Sequence, residues 1–406
     1  MRHAVRLTRE QLFHSVEKDR VLNPYQAPVP RGRESIAPEG GLYIPSLDGI
    51  RAISFFIVFL AHAGLADIVP GGFGVTIFFL LSGFLITTLL RIEFARRGQI
   101  SLGSFYLRRG LRILPPLYIA LALAMVLFVF EAGNRPFPVG GTVTQALQVS
   151  NYYQIYADPA ITLSGTALFW SLAVEEHFYL LFPLLYVWMC RRFSAQRQGA
   201  ILLALCAAAL AWRCILVFHF DADIARTYYA TDTRFDSILF GCVFAIIANP
   251  ILGDPLHVWF LKRMKWLIPL CVLVLLGSFL NRDGSFRETF RYTLQGLALI
   301  PLFIAAIHYQ NSLLVRFLNL PFMRFLGVLS YSLYLCHFCI LMSMWDAWAD
   351  RPAQRGVVAL AFSLCFATLV HYWVERPCTR IRRRLSKAID ARRQSVNVDS
   401  GHAQGG

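Results

Sequence analysis

Residues 170–188 read "WSLAVEEHFYLLFPLLYVW". The segment is apolar and long enough to cross a bilayer, yet Glu175, Glu176 and His177 stand side by side near its start. An ionisable side chain at the centre of a membrane costs about 2.5–3.5 kcal/mol on insertion scales, so such residues mark pairing or chemistry. The chemistry open to carboxylates near an imidazole is proton transfer. A histidine titrates near neutral pH and can act as general base, and a carboxylate can hold its tautomer and stabilise its charged form. The candidate base lies in another segment, "SLDGIRAISFFIVFLAHAG", where ten residues separate Arg51 from His62. Eleven helical steps put them roughly 16 Å apart along the axis, so they mark two depths of one path through the membrane. The plainer alternatives are an interface-level histidine for His62 and an ion pair with an arginine for the glutamates.

Other polar residues fall inside or at the ends of apolar segments. "TDTRFDSILFG" brings Arg234 and Asp236 to the start of one segment, and "GVLSYSLYLCHF" carries Ser330, Tyr331, Tyr334 and His337. Tyr334 and His337, three apart, share a helix face. "FGVTIFFLLSGFLI" supplies Ser82 and Gly83, small residues that permit close helix approach or a bound chain. In "FYLRRGLRILPP", Arg108, Arg109 and Arg112 crowd the mouth of a segment. Clustered arginines recognise phosphates, although basic loops also arise from membrane topology alone. Glu375 in "VERP" is placed to pair with one of them.

The elements that position these residues are transmembrane helices. Of 406 residues, 56% are hydrophobic and 16% charged, against about a quarter charged in a soluble chain. Apolar runs recur at about ten places: 50–66, 70–91, 113–130, 170–189, 199–218, 236–248, 266–280, 292–308, 326–345 and 355–374, of which the sixth is short. The expected fold class is all-α, a polytopic helical membrane protein of about ten spans. The formal net charge of +15 does not indicate nucleic-acid binding, because Lys and Arg gather in alternate loops between apolar runs. By the positive-inside rule both termini, the arginine loop and the basic "RPCTRIRRRLSK" segment are expected in the cytosol. Glu175, Glu176, His62 and Arg234 then lie toward the outer face.

Three segments follow: a polar cytosolic tail over 1–45, a transmembrane domain over 46–377, and a basic, then disordered, tail over 378–406. A short amphipathic helix is expected over 4–16, and no signal peptide is seen. The long outer loop, about 131–169, is rich in Asn, Gln, Tyr and Pro. It is either a carbohydrate-binding surface or merely solvated. Nine scattered cysteines form no secreted disulfide framework, and "CHFC" at 336–339 reads as small packing residues.

"LDGIRAISFFIVFLAH", "GVTIFFLLSGFLIT", "LRRGLRILPPLY", "WSLAVEEHFYLLFPLL", "TRFDSILFG", "LGVLSYSLYLCH" and "VERP", taken in order from Leu47 to Pro377, resemble the integral-membrane acyltransferase family 3. The resemblance implies ten helices in the bacterial inner (cytoplasmic) membrane. It also implies transfer of an acyl group, usually acetyl from acetyl-CoA, to a hydroxyl of a surface or secreted sugar. Acyl-CoA is then a co-substrate rather than a resident cofactor, and the partners are a glycan or lipid-linked sugar acceptor and the lipid bilayer. No metal is implied. The family's arginine–histidine pair falls on Arg51 and His62, and its Arg-X-X-Arg loop on Arg109 and Arg112. Its glutamate falls on Glu175 or Glu176, with His177 in place of the more usual Gln. Some members carry a fused hydrolase-like extracytoplasmic domain, for which this chain has no room. The rival functions are a transporter or flippase, disfavoured by the lack of an internal repeat, and a non-catalytic component of polysaccharide assembly.

Overall fold

In a computed structural model, residues 44–131, 135–157 and 162–385 are described. The expected N-terminal tail, its helix over 4–16, and the chain beyond 385 lie outside the described residues. Ten long helices carry the rest: α1 (Pro45–Leu60), α2 (Gly71–Arg97), α3 (Leu102–Glu131), α4 (Trp170–Arg192), α5 (Ala195–Phe218), α6 (Thr231–Ile247), α7 (Pro255–Leu280), α8 (Phe290–His308), α9 (Pro321–Ser343) and α10 (Pro352–Val370). Among the described residues there is no strand, and nine of the ten helices are long and apolar enough to cross a membrane. The chain is a multi-pass helical membrane protein. The exception is α6, which has 17 residues and is roughly 25 Å long. It begins at Thr231 rather than 236 because "TDTRFD" is helical.

Local chemistry explains the boundaries. Four helices, α1, α7, α9 and α10, begin on a proline, whose missing N–H is unneeded in a first turn. At the end of α2, Gly98 adopts φ 65° and its N–H bonds the Phe94 carbonyl, a left-handed cap that glycine takes without strain. Inside α3, Pro115 and Pro116 follow the arginine cluster directly. They deprive the Leu111 and Arg112 carbonyls of their helical donors at the mouth of that helix.

The spanning windows of α2 and α9 are each 72% buried, whereas those of α7 and α10 are 22% buried. The first two are therefore core and the last two face lipid. Helix α6 packs on α2 and α5, and α1 packs on α9 and α2. The α2–α6 crossing is close because of a glycine on each side. A Cβ at Gly83 would stand 2.0 Å from the Ile238 carbonyl oxygen, and one at Gly241 2.0 Å from that of Leu80. The small residue expected at Gly83 thus serves backbone approach.

Three features differ from the sequence reading. The polar loop before α4 folds inward. Its short helices Val139–Ala146 and Ser150–Tyr156 bury Gln145, Asn151 and Gln154, which donate to Thr166 Oγ1 (2.5 Å), Thr231 Oγ1 (3.0 Å) and the Ala167 carbonyl (2.7 Å). These amides brace the entry to α4 and α6 instead of facing solvent, because a buried amide must find a partner. Secondly, α10 runs through a π turn at His371–Glu375 and stays helical to residue 385, so it passes the expected end of the last span at 374 and carries the basic residues over 376–385. Thirdly, α1 ends in a π turn, Ala61–Leu65, with Gly64 at φ 113°. Both π turns carry candidate site residues, His62 and Glu375, as such interruptions commonly do.

Candidate active site

Two cavities meet inside the bundle. The larger, about 540 Å³, is lined by seven arginines (Arg51, Arg109, Arg112, Arg376, Arg380, Arg382 and Arg383) against three carboxylates (Asp48, Glu175 and Glu375). The smaller, about 220 Å³, is lined by His62, Gly71, Gly72, Trp170, Tyr228, Tyr229 and Phe338 among others. Val75 and Tyr334 line both. The first cavity carries an excess of positive side chains, and the second is an aromatic pocket with a histidine in its wall.

The arginine cavity is assembled from helix ends distant in sequence. Arg109 lies over the Tyr179 ring at 4.8 Å and the Phe105 ring at 5.9 Å, a contact that holds its guanidinium flat against the wall. Arg51 and Arg112 share the electrostatic neighbourhood of Asp48. Arg108 leaves the cluster. It forms an ion pair with Glu93 at 3.0 Å, because adjacent residues on a helix diverge by about 100°. Sequence reasoning treated the basic residues past 376 only as topology markers, and so missed Arg376, Arg380, Arg382 and Arg383.

The paired glutamates do not touch His62. Glu175 accepts from Ser82 Oγ at 2.7 Å and from the Tyr179 hydroxyl at 3.3 Å, facing the arginine cavity. Glu176, half-buried, makes no hydrogen bond among the described residues. His177 Nδ1 lies 2.7 Å from Thr231 Oγ1. The proposed carboxylate–histidine pair is therefore replaced: His62 Nδ1 lies 3.0 Å from His337 Nε2. Backbone carbonyls decide the tautomers. His337 Nδ1 is 3.0 Å from the Leu333 oxygen and 2.9 Å from the Tyr334 oxygen. Carbonyls only accept, so Nδ1 carries the proton and Nε2 is the acceptor. His62 then donates from Nδ1, and its own Nε2 keeps a lone pair in the aromatic pocket. That is the arrangement of a general base, with an imidazole in the orienting place that a carboxylate usually fills.

Tyr334, on the shared wall, makes a 2.7 Å hydrogen bond with Ser171 Oγ. Glu375 is held by Ser332 Oγ at 2.6 Å and by His371 Nδ1 at 2.7 Å, not by the arginine loop. Asp236 belongs to neither cavity. It pairs with Arg213, 2.7 Å away and fully buried with it, and Arg213 also donates to the Thr233 and Thr289 carbonyls and to Thr293 Oγ1. Arg213 stands five residues before the end of apolar α5, and an ionisable residue inside such a segment is itself the signal that marks it. Arg234, two residues before Asp236, has no part in this network. All nine cysteines are free.

A protein named "O-acetyltransferase OatA" from Staphylococcus aureus (strain NCTC 8325 / PS 47) is 29% identical over 371 residues, which cover 86% of this chain and 58% of the relative. Another, named "Putative O-acetyltransferase" from Staphylococcus aureus (strain COL), is 28% identical over 352 residues, covering 82% of this chain and 57% of the relative. The chain thus spans less than two thirds of the length of these curated relatives. No solved structure matches it. The family described as "Acyltransferase domain" matches residues 44–374, from the start of α1 to the π turn that follows α10, and the chain belongs to this integral-membrane acyltransferase family.

Proposed function

We propose that the protein is a membrane O-acyltransferase that moves an acetyl group from acetyl-CoA to a hydroxyl of a sugar. One observation carries this reading: an arginine-lined cavity and a histidine-walled aromatic pocket lie side by side, with Val75 and Tyr334 in the wall of both. The diphosphate and phosphate of coenzyme A suit Arg109, Arg112, Arg380 and Arg382. Its pantetheine arm, on the order of 15–20 Å, reaches well into a ~30 Å hydrocarbon core. The positive-inside pattern puts the arginine cavity and both termini in the cytosol, and the histidine pocket toward the outer face of the bacterial inner membrane. Sugar rings stack on aromatic walls of the kind Trp170, Tyr228 and Tyr229 form.

In the direct route, His62 Nε2 takes the proton of the acceptor hydroxyl as its oxygen attacks the thioester carbonyl. The C–S bond then breaks, and the imidazolium returns the proton to the departing thiolate. His337 holds His62 in the correct tautomer throughout. The test is coenzyme A release by the full chain in lipid nanodiscs, given acetyl-CoA and a panel of oligosaccharides. Release with at least one sugar, lost in His62→Ala, is expected. Transport of sugar without thiol release, or equal release by His62→Ala, overturns the reading.

A further inference from the structure

Among the described residues two arginines, Arg213 and Arg234, are wholly buried, and the fold treats them oppositely. Arg213 has a carboxylate, two carbonyls and a hydroxyl. Arg234 has none: among the described residues Nε and both terminal nitrogens lack any hydrogen-bond partner. Its surroundings are rings. The guanidinium carbon is 3.7 Å from the Tyr292 ring centre, 5.2 Å from Tyr228, 5.5 Å from Trp170 and 5.8 Å from Phe79. Aromatic faces attract the flat face of the cation but leave its N–H edges unsatisfied. A buried charge without an acceptor is costly, and such a group in a native fold calls for an explanation.

The location supplies one. Trp170 and Tyr228 are walls of the histidine pocket, and Phe79 lines the arginine cavity. Arg234 lies behind these rings and lines neither cavity itself. Tyr228 is a thin partition. It sits on the six-residue helix Ile224–Tyr229, and its hydroxyl makes no hydrogen bond among the described residues. Gly72 packs closely against that hydroxyl: a Cβ there would lie 3.2 Å from it, so any larger side chain at 72 presses on the Tyr228 ring.

We propose that Arg234 is the binding site for an oxyanion carried by the acceptor. The sugar presented to His62 bears a carboxylate or a phosphate close to the hydroxyl that is modified, and that anion displaces the Tyr228 ring to reach the guanidinium. Bidentate pairing with Arg234 satisfies the donors the protein leaves open. It also places a neutralising contact at one fixed distance from His62, which selects both the acceptor and the hydroxyl. The inference rests on the reading of the histidine pocket as an acceptor site. It is tested by binding alone, so its failure is distinguishable from a failure of acyl transfer.

The experiment measures the unfolding midpoint of the full chain in nanodiscs with glucose, glucuronate or glucose 1-phosphate. A rise on the order of 2 °C at saturation with a charged sugar, and none with glucose, is expected. Glucuronate acting alone identifies a carboxylate-bearing sugar, and glucose 1-phosphate alone a phosphate-linked one. The rise should vanish in Arg234→Gln and persist in the double variant Arg109→Ala, Arg112→Ala. Gly72→Val, which fills the pocket without touching the guanidinium, should abolish it as well and stands in where Arg234→Gln does not fold. Equal shifts for charged and neutral sugars, a shift that survives Arg234→Gln or Gly72→Val, or one lost only in the arginine-loop variant each overturn the proposal.

Discussion

His62 Nδ1 and His337 Nε2 lie 3.0 Å apart, and the Leu333 and Tyr334 carbonyls at His337 Nδ1 set the direction of the proton between them. The two rings are nearly parallel, at 14° with centroids 5.2 Å apart, and Phe338 stacks on the other side of His62 at 4.4 Å. The base is thus held by packing and by one hydrogen bond whose polarity is dictated by backbone.

This relationship ranks three variants. His62→Ala should lower acyl transfer by roughly 10²–10⁴. His337→Ala, which frees the ring to adopt either tautomer, should lower kcat on the order of 10² with little change in either KM. His337→Gln keeps a side-chain carbonyl able to accept from His62 Nδ1, and should retain more activity than the alanine variant. Steady-state kinetics on the three proteins checks the order; equal rates for the two His337 variants would refute the tautomer argument.

Arg109→Ala and Arg112→Ala should raise the donor KM and leave the acceptor KM unchanged. Arg382→Ala, from the helical extension of α10, should do the same, since Arg382 lines the same cavity. Arg108→Ala should not, because Arg108 is paired with Glu93. Donor KM should also climb with ionic strength in the wild type, as expected of phosphate contacts screened by salt. Titration of acetyl-CoA against each variant separates the cavity arginines from the bystander.

Glu175 and Glu176 should prove unequal. Glu175 is hydrogen-bonded by Ser82 and Tyr179 on the cavity wall, so Glu175→Gln removes a charge that faces Arg51 and Arg109. It should reduce single-turnover transfer at saturating donor by about tenfold or more. Glu176→Gln breaks no hydrogen bond among the described residues and should stay within about twofold of wild type. Rapid-quench assays of the two proteins test this, and a reversed order would move the functional carboxylate to Glu176.

Asp236→Ala should act on stability rather than chemistry. It strands Arg213 in a fully buried site, a loss of about 3–5 kcal/mol when one partner of such a pair is removed. Thr293→Ala deletes a single hydroxyl partner of that pair and should cost about 1 kcal/mol. Folded yield and thermal unfolding in detergent distinguish the two; normal yield for Asp236→Ala would remove Asp236 from the structural network.

Composition and periodicity were enough to establish a helical membrane protein. Burying a backbone in lipid leaves few alternatives, so runs of apolar residues determine where helices lie and basic loops suggest their direction. His62 stood out because its type is costly at that position, whereas Arg109 and Arg112 stood out only as a basic cluster of the kind topology alone also produces. Pairing was not legible. Helical spacing puts Glu175 at about the depth of His62, but depth does not tell which neighbour a side chain meets. The Gly83–Gly241 crossing of α2 and α6 and the packing of α9 against α1 decided that His337 reaches His62 while Glu175 turns to Ser82. The helical course of 376–385, which adds its arginines to the loop of α3, was likewise invisible in a string of charges that looks the same folded or free. Arg234 and Asp236 show the limit most directly. Two residues apart in sequence, they stand together at the start of one segment; on a helix two steps turn about 200°, and the tertiary packing gave the carboxylate to Arg213 and left Arg234 among rings.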